Sequence, residues 1–176
     1  MPLSQVAQVE EAAKRIAQRC PEMRFEESVL CRTAVILGRD LIARLDGLLE
    51  PAGIAELEYR LLLILFSRGP ASPGELCAAL AQSPANLTRI GDLLADRGLV
   101  TRAPSAEDRR RQIVSLTPAG ERLVTQLLPQ LTRSMTLLFD DFSAADRAQF
   151  MDYLKRLLGA LDALSATGTG TEKAAQ

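Results

Sequence analysis

The sequence contains no histidine, and its three cysteines show no metal-ligand spacing. Without histidine the chain cannot form the Ser–His or Cys–His pairs of nucleophilic enzymes, nor the common zinc sites that use imidazole ligands. We also find no paired carboxylates and no phosphate-binding loop that would indicate another kind of catalysis. These absences argue against an enzyme and against a metal ion or other cofactor.

Long apolar runs are missing as well. No stretch approaches the ~20 apolar residues that a membrane-spanning helix requires, and the N-terminal segment has no apolar signal-peptide core. We therefore expect a cytoplasmic protein with no membrane partner. In a reducing cytoplasm, Cys20, Cys31 and Cys77 are expected to be buried small apolar residues rather than bridges.

Glycine and proline are too scarce, at 11 and 9 of 176 residues, for a disordered or fibrous chain. An apolar content of 47% with 24% charged residues is ordinary for a folded domain. The net charge is only −1, but it is unevenly distributed: residues 83–112 contain six arginines and four carboxylates. A locally positive segment on an acidic body permits a DNA footprint, although it is weak evidence alone.

The most informative stretch runs from Ser83 to Leu116. Ser83 followed by Pro84 is typical of a helix start, and Gly98 of a helix stop. Between them, helical spacing defines one buried face, consisting of Leu87, Ile90, Gly91 and Leu94. The opposite face carries Arg89, and also Asp92 and Asp96, which would repel phosphate.

Two short strands follow this helix, at residues 99–102 and 112–116, joined by a loop that is longer than a hairpin needs. The loop ends in Asp108 and three consecutive arginines. Before the helix, Ser72 and Glu75 form a capping-box signature that starts another short helix, with a tight turn at residues 81–82. We interpret the whole segment as a helix-turn-helix with a wing.

Long helices are expected on both sides of the winged segment, at about residues 26–50, 118–139 and from 143 onward. The first of them carries two adjacent apolar rows, and together these helices have more apolar surface than one small winged domain can cover, which favours a twofold dimer. The predicted fold class is therefore mainly α (α+β): a winged helix-turn-helix with long flanking dimerisation helices. We divide the chain into N-terminal dimerisation helices (1–53), a DNA-binding domain (54–117), C-terminal dimerisation helices (118–164) and a disordered tail (165–176).

This order of elements, with Asp108-Arg109-Arg110 in the wing and Leu116-Thr117-Pro118-Ala119-Gly120 at the next helix, resembles the MarR family of bacterial transcriptional regulators. The resemblance covers residues 25–164. The stretch Asn86-x-Thr88-Arg89-Ile90, the additional N-terminal helix and the Leu30-x-Arg32 region are similar to a branch that represses multidrug efflux pumps of the EmrAB type.

The resemblance implies a homodimer that binds double-stranded DNA at a pseudo-palindromic operator, with the two recognition helices in successive major grooves. It implies that Arg110 enters the minor groove, that Asp108 orients it, and that Arg109 and Arg111 contact phosphates. The residues expected to form the DNA-binding site are Ser72, Ser83, Pro84, Ala85, Asn86, Thr88, Arg89, Asp108, Arg109, Arg110 and Arg111. From the residues alone, the alternative is that Arg89 and the arginine run are solvated surface, but DNA contact is the favoured interpretation.

The resemblance also implies an effector, a small aromatic or lipophilic acid bound where the long helix meets the winged domain. Arg32, Tyr59 and Arg60 are the residues expected there, since an arginine at an apolar wall can pair with a carboxylate or phenolate. An ordinary intersubunit salt bridge is an equally good interpretation of Arg32. The implied function is repression of a multidrug efflux or stress-response operon, relieved by the effector.

Two other functions remain open at this point. One is a redox-sensing regulator of the same family that acts through Cys31 or Cys20. The other is a helical adaptor whose winged domain binds protein rather than DNA, although the arginine-rich wing tip favours DNA.

Overall fold

The computed structural model describes residues 4–104 and 111–171, with side chains described up to residue 165. Within these ranges the chain is mainly helical, with one two-stranded antiparallel sheet. It divides into two compact units, the first ending at Leu128 and the second beginning at Pro129. The mainly helical chain with its small antiparallel sheet confirms the predicted fold class. The functional boundaries at residues 54, 118 and 165 stay predictions.

The first two helices pack against each other. Helix α1 spans Gln5–Ala17, and the hydroxyl of Ser4 caps it by accepting a hydrogen bond from the Ala7 amide at 3.2 Å. Helix α2 spans Phe25–Leu49 and runs into a single 3-10 turn, Glu50–Ala52. Gly53 then adopts a left-handed conformation, with φ of 62°, that turns the chain toward the next helix.

Three helices form the centre of the first unit: α3 (Glu56–Arg68), α4 (Pro73–Leu80) and α5 (Pro84–Asp96). The connection between α4 and α5 is short, and Ala81 in it adopts a left-handed conformation with φ of 51°. Helices α4 and α5 therefore make the helix-turn-helix that the sequence predicts.

The sheet consists of strand β1 (Val100–Pro104) and strand β2 (Gln112–Leu116), with Val100 opposite Leu116 and Pro104 opposite Gln112. Ala71 adds a third pairing, because its amide and carbonyl each bond to Val114, at 3.0 and 2.9 Å. Residues just before α4 are thus hydrogen-bonded to β2, which fixes the base of the wing to the helix-turn-helix.

The core of the first unit is aliphatic. Almost completely buried side chains come from five helices: Leu49, Leu61, Leu62, Leu76, Leu80, Ile90, Leu94 and Val124. Each such side chain contributes about 1.5–3 kcal/mol by leaving water. The predicted inward face of α5 is confirmed, since Leu87, Ile90, Gly91 and Leu94 are all buried.

Helix α6 (Pro118–Thr136) begins against the end of α5. The Thr117 hydroxyl donates to the Gly98 carbonyl at 2.7 Å, and the same oxygen accepts from the Gly120 amide at 3.1 Å. A Cβ at position 120 would overlap the carbonyl oxygen of Leu99, which is backbone and cannot move aside. The Thr-Pro-Ala-Gly sequence is therefore the joint between the wing and α6.

The second unit contains the rest of α6, a 3-10 turn at Leu137–Phe139, and helix α7 (Ala144–Thr171). Ser143 caps α7: its amide and hydroxyl both donate to the Asp146 carboxylate, at 2.9 and 2.6 Å. The helical backbone of α7 continues through Thr171. It therefore extends past Ser165, where the disordered tail was predicted to begin.

The cysteine prediction was wrong in one respect. Cys20 and Cys31 are exposed and Cys77 is partly exposed, rather than buried. Both exposed cysteines lie on surfaces of the α1–α2 region that no described part of the chain covers. Among the described residues, no helix is long and apolar enough to span a membrane.

Candidate nucleic-acid interface

The N-terminal end of α5 faces outward and is held by its cap. The Ser83 hydroxyl accepts from the Asn86 amide at 3.3 Å, and Pro84 occupies the first helical position. Ser83, Pro84 and Ala85 are exposed, whereas Leu87 faces the core. The amides and the dipole of a helix N-terminus favour an anion at this position.

Three polar side chains are linked along the first turns of α5. Asn86 donates from Nδ2 to Oε1 of Gln82 at 2.7 Å, and its own Oδ1 accepts from Nη2 and Nε of Arg89 at 3.0 and 3.3 Å. These bonds draw the exposed guanidinium of Arg89 toward the helix start. A cation oriented before binding loses less side-chain entropy when it meets a phosphate or a base edge.

Thr88 lies on the same exposed surface. Its hydroxyl donates to the Pro84 carbonyl at 2.9 Å. The hydroxyl proton is thus used in a bond within the helix, whereas the hydroxyl oxygen can still accept a hydrogen bond. Of the residues that the sequence predicts for DNA contact, the structure thus places Ser83, Pro84, Ala85, Asn86, Thr88 and Arg89 together.

Arg102 connects the wing to the recognition helix, and sequence patterns did not identify it. From strand β1 its Nη1 pairs with Oδ1 of Asp92 at 2.7 Å, and its Nη2 donates to the Thr88 carbonyl at 3.1 Å. The guanidinium lies directly over Gly91, where a Cβ would overlap it. Asp92, expected to repel phosphate, is therefore neutralised by a partner ten positions along the chain.

Arg97 holds the other end of α5. Its guanidinium donates to the carbonyl of Ala52 at 2.9 Å and to that of Gly53. These two carbonyls lie in the turn that follows α2. The recognition helix is thus tied at its C-terminal end to the end of the longest helix of the first unit.

Ser72 is placed differently from the other predicted DNA contacts. It is only 8% exposed, and its hydroxyl and amide donate to Oε2 of Glu75 at 2.6 and 2.7 Å. Its hydroxyl also accepts from the Glu75 amide at 3.4 Å. In this arrangement Ser72 fixes the start of α4, and a contact between its side chain and DNA would require opening the cap.

The capping box gives a pH-dependent prediction. Hydrogen bonds from the Ser72 side chain and then its amide, with a smaller contribution from the Arg111 charge, hold the pKa of Glu75 below its ordinary value. A lowered folded-state pKa stabilises the protein above the unfolded-state pKa, and the contribution is lost as pH falls through the folded-state pKa. Replacing Glu75 with glutamine should therefore lower the free energy of unfolding at neutral pH.

Urea denaturation at neutral and at acid pH checks this prediction. The difference between wild type and Glu75→Gln should shrink in acid, while Glu121→Gln, which removes an exposed first-turn carboxylate of α6, should change little at either pH. An equal loss at both pH values would show that packing, not the charged cap, explains the effect.

The wing residues fall into two groups. Arg111 is exposed, and its charge acts on Glu75. Asp108, Arg109 and Arg110 lie outside the described residues, so their contacts stay predictions from the sequence.

The three residues predicted for effector binding have different surroundings. Arg32 lines a cleft between α1 and α2, whereas neither Tyr59 nor Arg60 does. Tyr59 is 6% exposed, and burial raises the pKa of its hydroxyl, which has no hydrogen-bond partner among the described residues. Arg60 donates to the Leu80 carbonyl at 3.2 Å and pairs with Glu56 at 3.5 Å.

The described residues hold no cluster of three or more acidic, cysteine or histidine side chains that could bind a metal ion. The features brought together are instead an exposed helix start, an oriented arginine and a wing fixed to the same helix. Together with the α4–α5 turn, they define a winged helix-turn-helix protein of the DNA-binding class.

Comparison with known proteins identifies the family. Residues 52–111 match the model of the MarR family. The chain is 30% identical over 166 residues to the transcriptional repressor MprA of Escherichia coli, covering 93% of this chain and 94% of MprA. The chain belongs to the MarR family of transcriptional regulators, and it is a DNA-binding regulator rather than an enzyme.

Solved structures agree with this assignment. A cysteine-to-serine mutant of MarR from Escherichia coli, complexed with operator DNA, superposes with a TM-score of 0.68 at 25% identity, over 78% of this chain and 99% of that one. AbsC, a MarR family regulator from Streptomyces coelicolor, gives a TM-score of 0.73 at 24% identity, over 80% and 97%. The second likeness shows the fold alone.

Proposed function

We propose that this regulator is a homodimeric repressor of a multidrug efflux or stress-response operon, released from its operator by a small lipophilic aromatic acid. The observation that carries the proposal is the exposed start of α5, where Asn86 orients Arg89. Similarity to a protein named as a transcriptional repressor, MprA, over 93% of the chain supports repression.

Dimerisation is supported by the apolar side chains that each unit leaves uncovered. On α2, Leu30 and Val35 are 69% and 70% exposed, and on α7, Leu158 and Leu164 are 61% and 68% exposed. Single exposed leucines are ordinary, but rows on two long helices mark an association surface. We assign residues 1–53 and 118–164 to dimerisation and residues 54–117 to DNA binding.

On DNA, the start of α5 enters the major groove and the wing lies along the adjacent minor groove. A twofold dimer then reads two half-sites about 34 Å apart, which is why the operator is pseudo-palindromic. Arg89 supplies base or phosphate contact, and Arg110, flanked by Arg109 and Arg111, supplies the minor-groove contact. The effector acts only through preferential binding to the non-DNA-binding state, with a coupling of about 1–3 kcal/mol.

Selection of genomic DNA fragments by the purified full-length protein tests the proposal. Light scattering on the same preparation reports its oligomeric state. We expect a dimer, and enriched fragments carrying inverted half-sites next to genes for efflux or stress response. A monomer at working concentration, or no enrichment of any fragment, would contradict the proposal.

The exposure of Cys20 and Cys31 favours a second candidate, in which oxidation of a thiol releases the DNA. Peroxide should then abolish operator binding, and dithiothreitol should restore it. Retention of peroxide sensitivity when both cysteines are replaced by serine would exclude this mechanism.

A further inference from the structure

A chain of hydrogen bonds runs from the turn of the helix-turn-helix to the guanidinium of Arg89. The Gln82 side chain donates from Nε2 to the Leu80 carbonyl at 3.3 Å, and its Oε1 accepts from Nδ2 of Asn86 at 2.7 Å. Oδ1 of Asn86 in turn accepts from Nη2 and Nε of Arg89 at 3.0 and 3.3 Å. Gln82 and Asn86 are half-buried and Arg89 is exposed, so the chain leads outward to the surface.

The two ends of this chain fix its direction. A backbone carbonyl can only accept a hydrogen bond and a guanidinium can only donate, whereas a side-chain amide does both. Because Leu80 presents a carbonyl, Nε2 of Gln82 must face it, which leaves the Gln82 oxygen to face Asn86. That oxygen selects Nδ2 of Asn86, and the Asn86 oxygen is then left for Arg89. Reversing either amide would bring two donors or two acceptors together, so Gln82 determines which atom of Asn86 meets Arg89.

The backbone holds Gln82 in place independently of its side chain. Ala81 has a left-handed φ of 51°, and the Gln82 amide donates to the Cys77 carbonyl at 3.0 Å. The Leu80 carbonyl also has a second donor, since it accepts from Nη2 of Arg60 at 3.2 Å. Removing the amide group of the Gln82 side chain therefore breaks the chain without leaving the Leu80 carbonyl unpaired.

The bonds to Asn86 leave one edge of the Arg89 guanidinium for DNA. Asn86 occupies the edge formed by Nε and Nη2, and the adjoining edge, formed by Nη1 and the second hydrogen of Nη2, takes no part in that contact. Two parallel N–H groups match the N7 and O6 acceptors of guanine in the major groove, whereas adenine places a donor beside its N7. Asn86 is not left to read adenine with both amide atoms, because both lone pairs of its oxygen face Arg89.

We propose that Gln82 is a positioning residue of the DNA-binding site, and that through Asn86 it holds Arg89 to read one guanine in each half-site of the operator. Holding the guanidinium in one orientation before binding lowers the entropy lost on contact and favours the base that matches the free edge. The inference rests on the proposed contact between Arg89 and DNA, and it names the base and a residue behind the contact.

Modified guanines in the operator test this inference. The full-length dimer is titrated with an operator obtained by fragment selection, in which each guanine of one half-site is replaced in turn by 7-deazaguanine or by inosine. The first analogue lacks the N7 acceptor, and the second keeps N7 and O6 but lacks the minor-groove amino group. At one guanine, 7-deazaguanine should weaken binding about tenfold and inosine should not. For Arg89→Ala, 7-deazaguanine at that guanine should cost nothing further.

Gln82→Met keeps the length of the side chain and removes both of its polar atoms. In this variant the cost of 7-deazaguanine at the same guanine should shrink from about tenfold to about threefold or less. Affinity for unrelated DNA and its dependence on salt should stay as in wild type, because no charge is altered. Asn86→Ala, which removes the next link, should show the same reduction. Gln18→Met, at an exposed glutamine after α1, is the control and should keep the full tenfold cost.

The outcomes separate this inference from the proposed function. If wild type binds its operator but no guanine responds to 7-deazaguanine, the guanine contact is overturned and the proposed function stands. If Gln82→Met and Asn86→Ala keep the full tenfold cost, the positioning role is overturned. A structural defect would weaken operator and unrelated DNA equally and leave the cost unchanged, which also overturns that role. If selection yields no operator at all, the proposed function fails and this inference fails with it.

Discussion

Replacing Arg89 with alanine is expected to weaken operator binding by about 10- to 100-fold, which corresponds to the loss of one base or phosphate contact of roughly 1–3 kcal/mol. Arg89 is exposed on the second turn of α5, and among the described residues its guanidinium bonds to Asn86. Because its side chain is exposed, the free energy of unfolding should hardly change. Fluorescence anisotropy with a labelled operator duplex measures the affinity.

Salt dependence separates the two kinds of contact. If Arg89 binds phosphate, the alanine variant should lose affinity for all duplexes, and the slope of log affinity against log salt should fall by about 1. If it binds a base edge, the loss should be largest on the operator, and affinity for unrelated DNA should change little.

The matched control is Arg15→Ala on α1, which removes the same charge from a helix that packs on α2 and not on the winged segment. Asn86→Ala is an intermediate case, since it leaves the cation but removes the bonds that orient it. We expect its affinity to fall between those of wild type and Arg89→Ala. If Arg89→Ala binds DNA as well as Arg15→Ala does, Arg89 is ordinary solvated surface.

The elements of the winged segment could be predicted because their signals are local. Three- and four-residue spacing places Leu87, Ile90 and Leu94 on one face, and the cap at Ser83 depends only on its neighbours within one turn. The capping box of Ser72 and Glu75 is local in the same way. These patterns fix which face of α5 is outward, and hence most of the candidate interface.

The other features of the site depend on how separate elements pack against each other. The spacing of residues along the sequence carries no information about that packing. Helical spacing can place Arg32 on a face of α2, but it does not say that α1, rather than α3, covers that face. In the same way, the general tendency of free cysteines to be buried led to the prediction that these cysteines are buried, whereas Cys20 and Cys31 lie where no described segment covers them. Burial is a property of the packed chain, and a partner subunit can change it.

The pairing of Asp92 with Arg102 could not be predicted from the sequence either. It requires the chain to reverse direction at Gly98, so that strand β1 packs along α5. Gly91 also leaves room for it, because a Cβ there would overlap the guanidinium in its present position. In the sequence, Asp92 looks like an unfavourable carboxylate and Arg102 like an unrelated cation on a strand. In the structure they form one ion pair. Its function follows from its place, between the DNA-facing helix and the wing.

Arg102→Gln is therefore expected to lower operator affinity by about tenfold, or roughly 1.4 kcal/mol. Two effects add: the Asp92 carboxylate is left unpaired beside the phosphates, and the wing loses its bond to the Thr88 carbonyl. Loss of stability should be small, at most about 1 kcal/mol, because the pair is partly exposed to solvent. Anisotropy and urea denaturation measure the two quantities separately.

A double-mutant cycle with Asp92→Asn resolves the two effects. If charge neutralisation matters, Asp92→Asn should recover part of the affinity that Arg102→Gln loses, and the remainder measures the tether to the wing. Gly91→Ala offers an independent route, since its methyl group displaces the guanidinium while alanine favours the helix by about 1 kcal/mol. A more stable protein with weaker DNA binding is the expected result. If Gly91→Ala binds the operator as tightly as wild type, and Asp92→Asn recovers none of the loss, then Arg102 acts by contacting DNA itself.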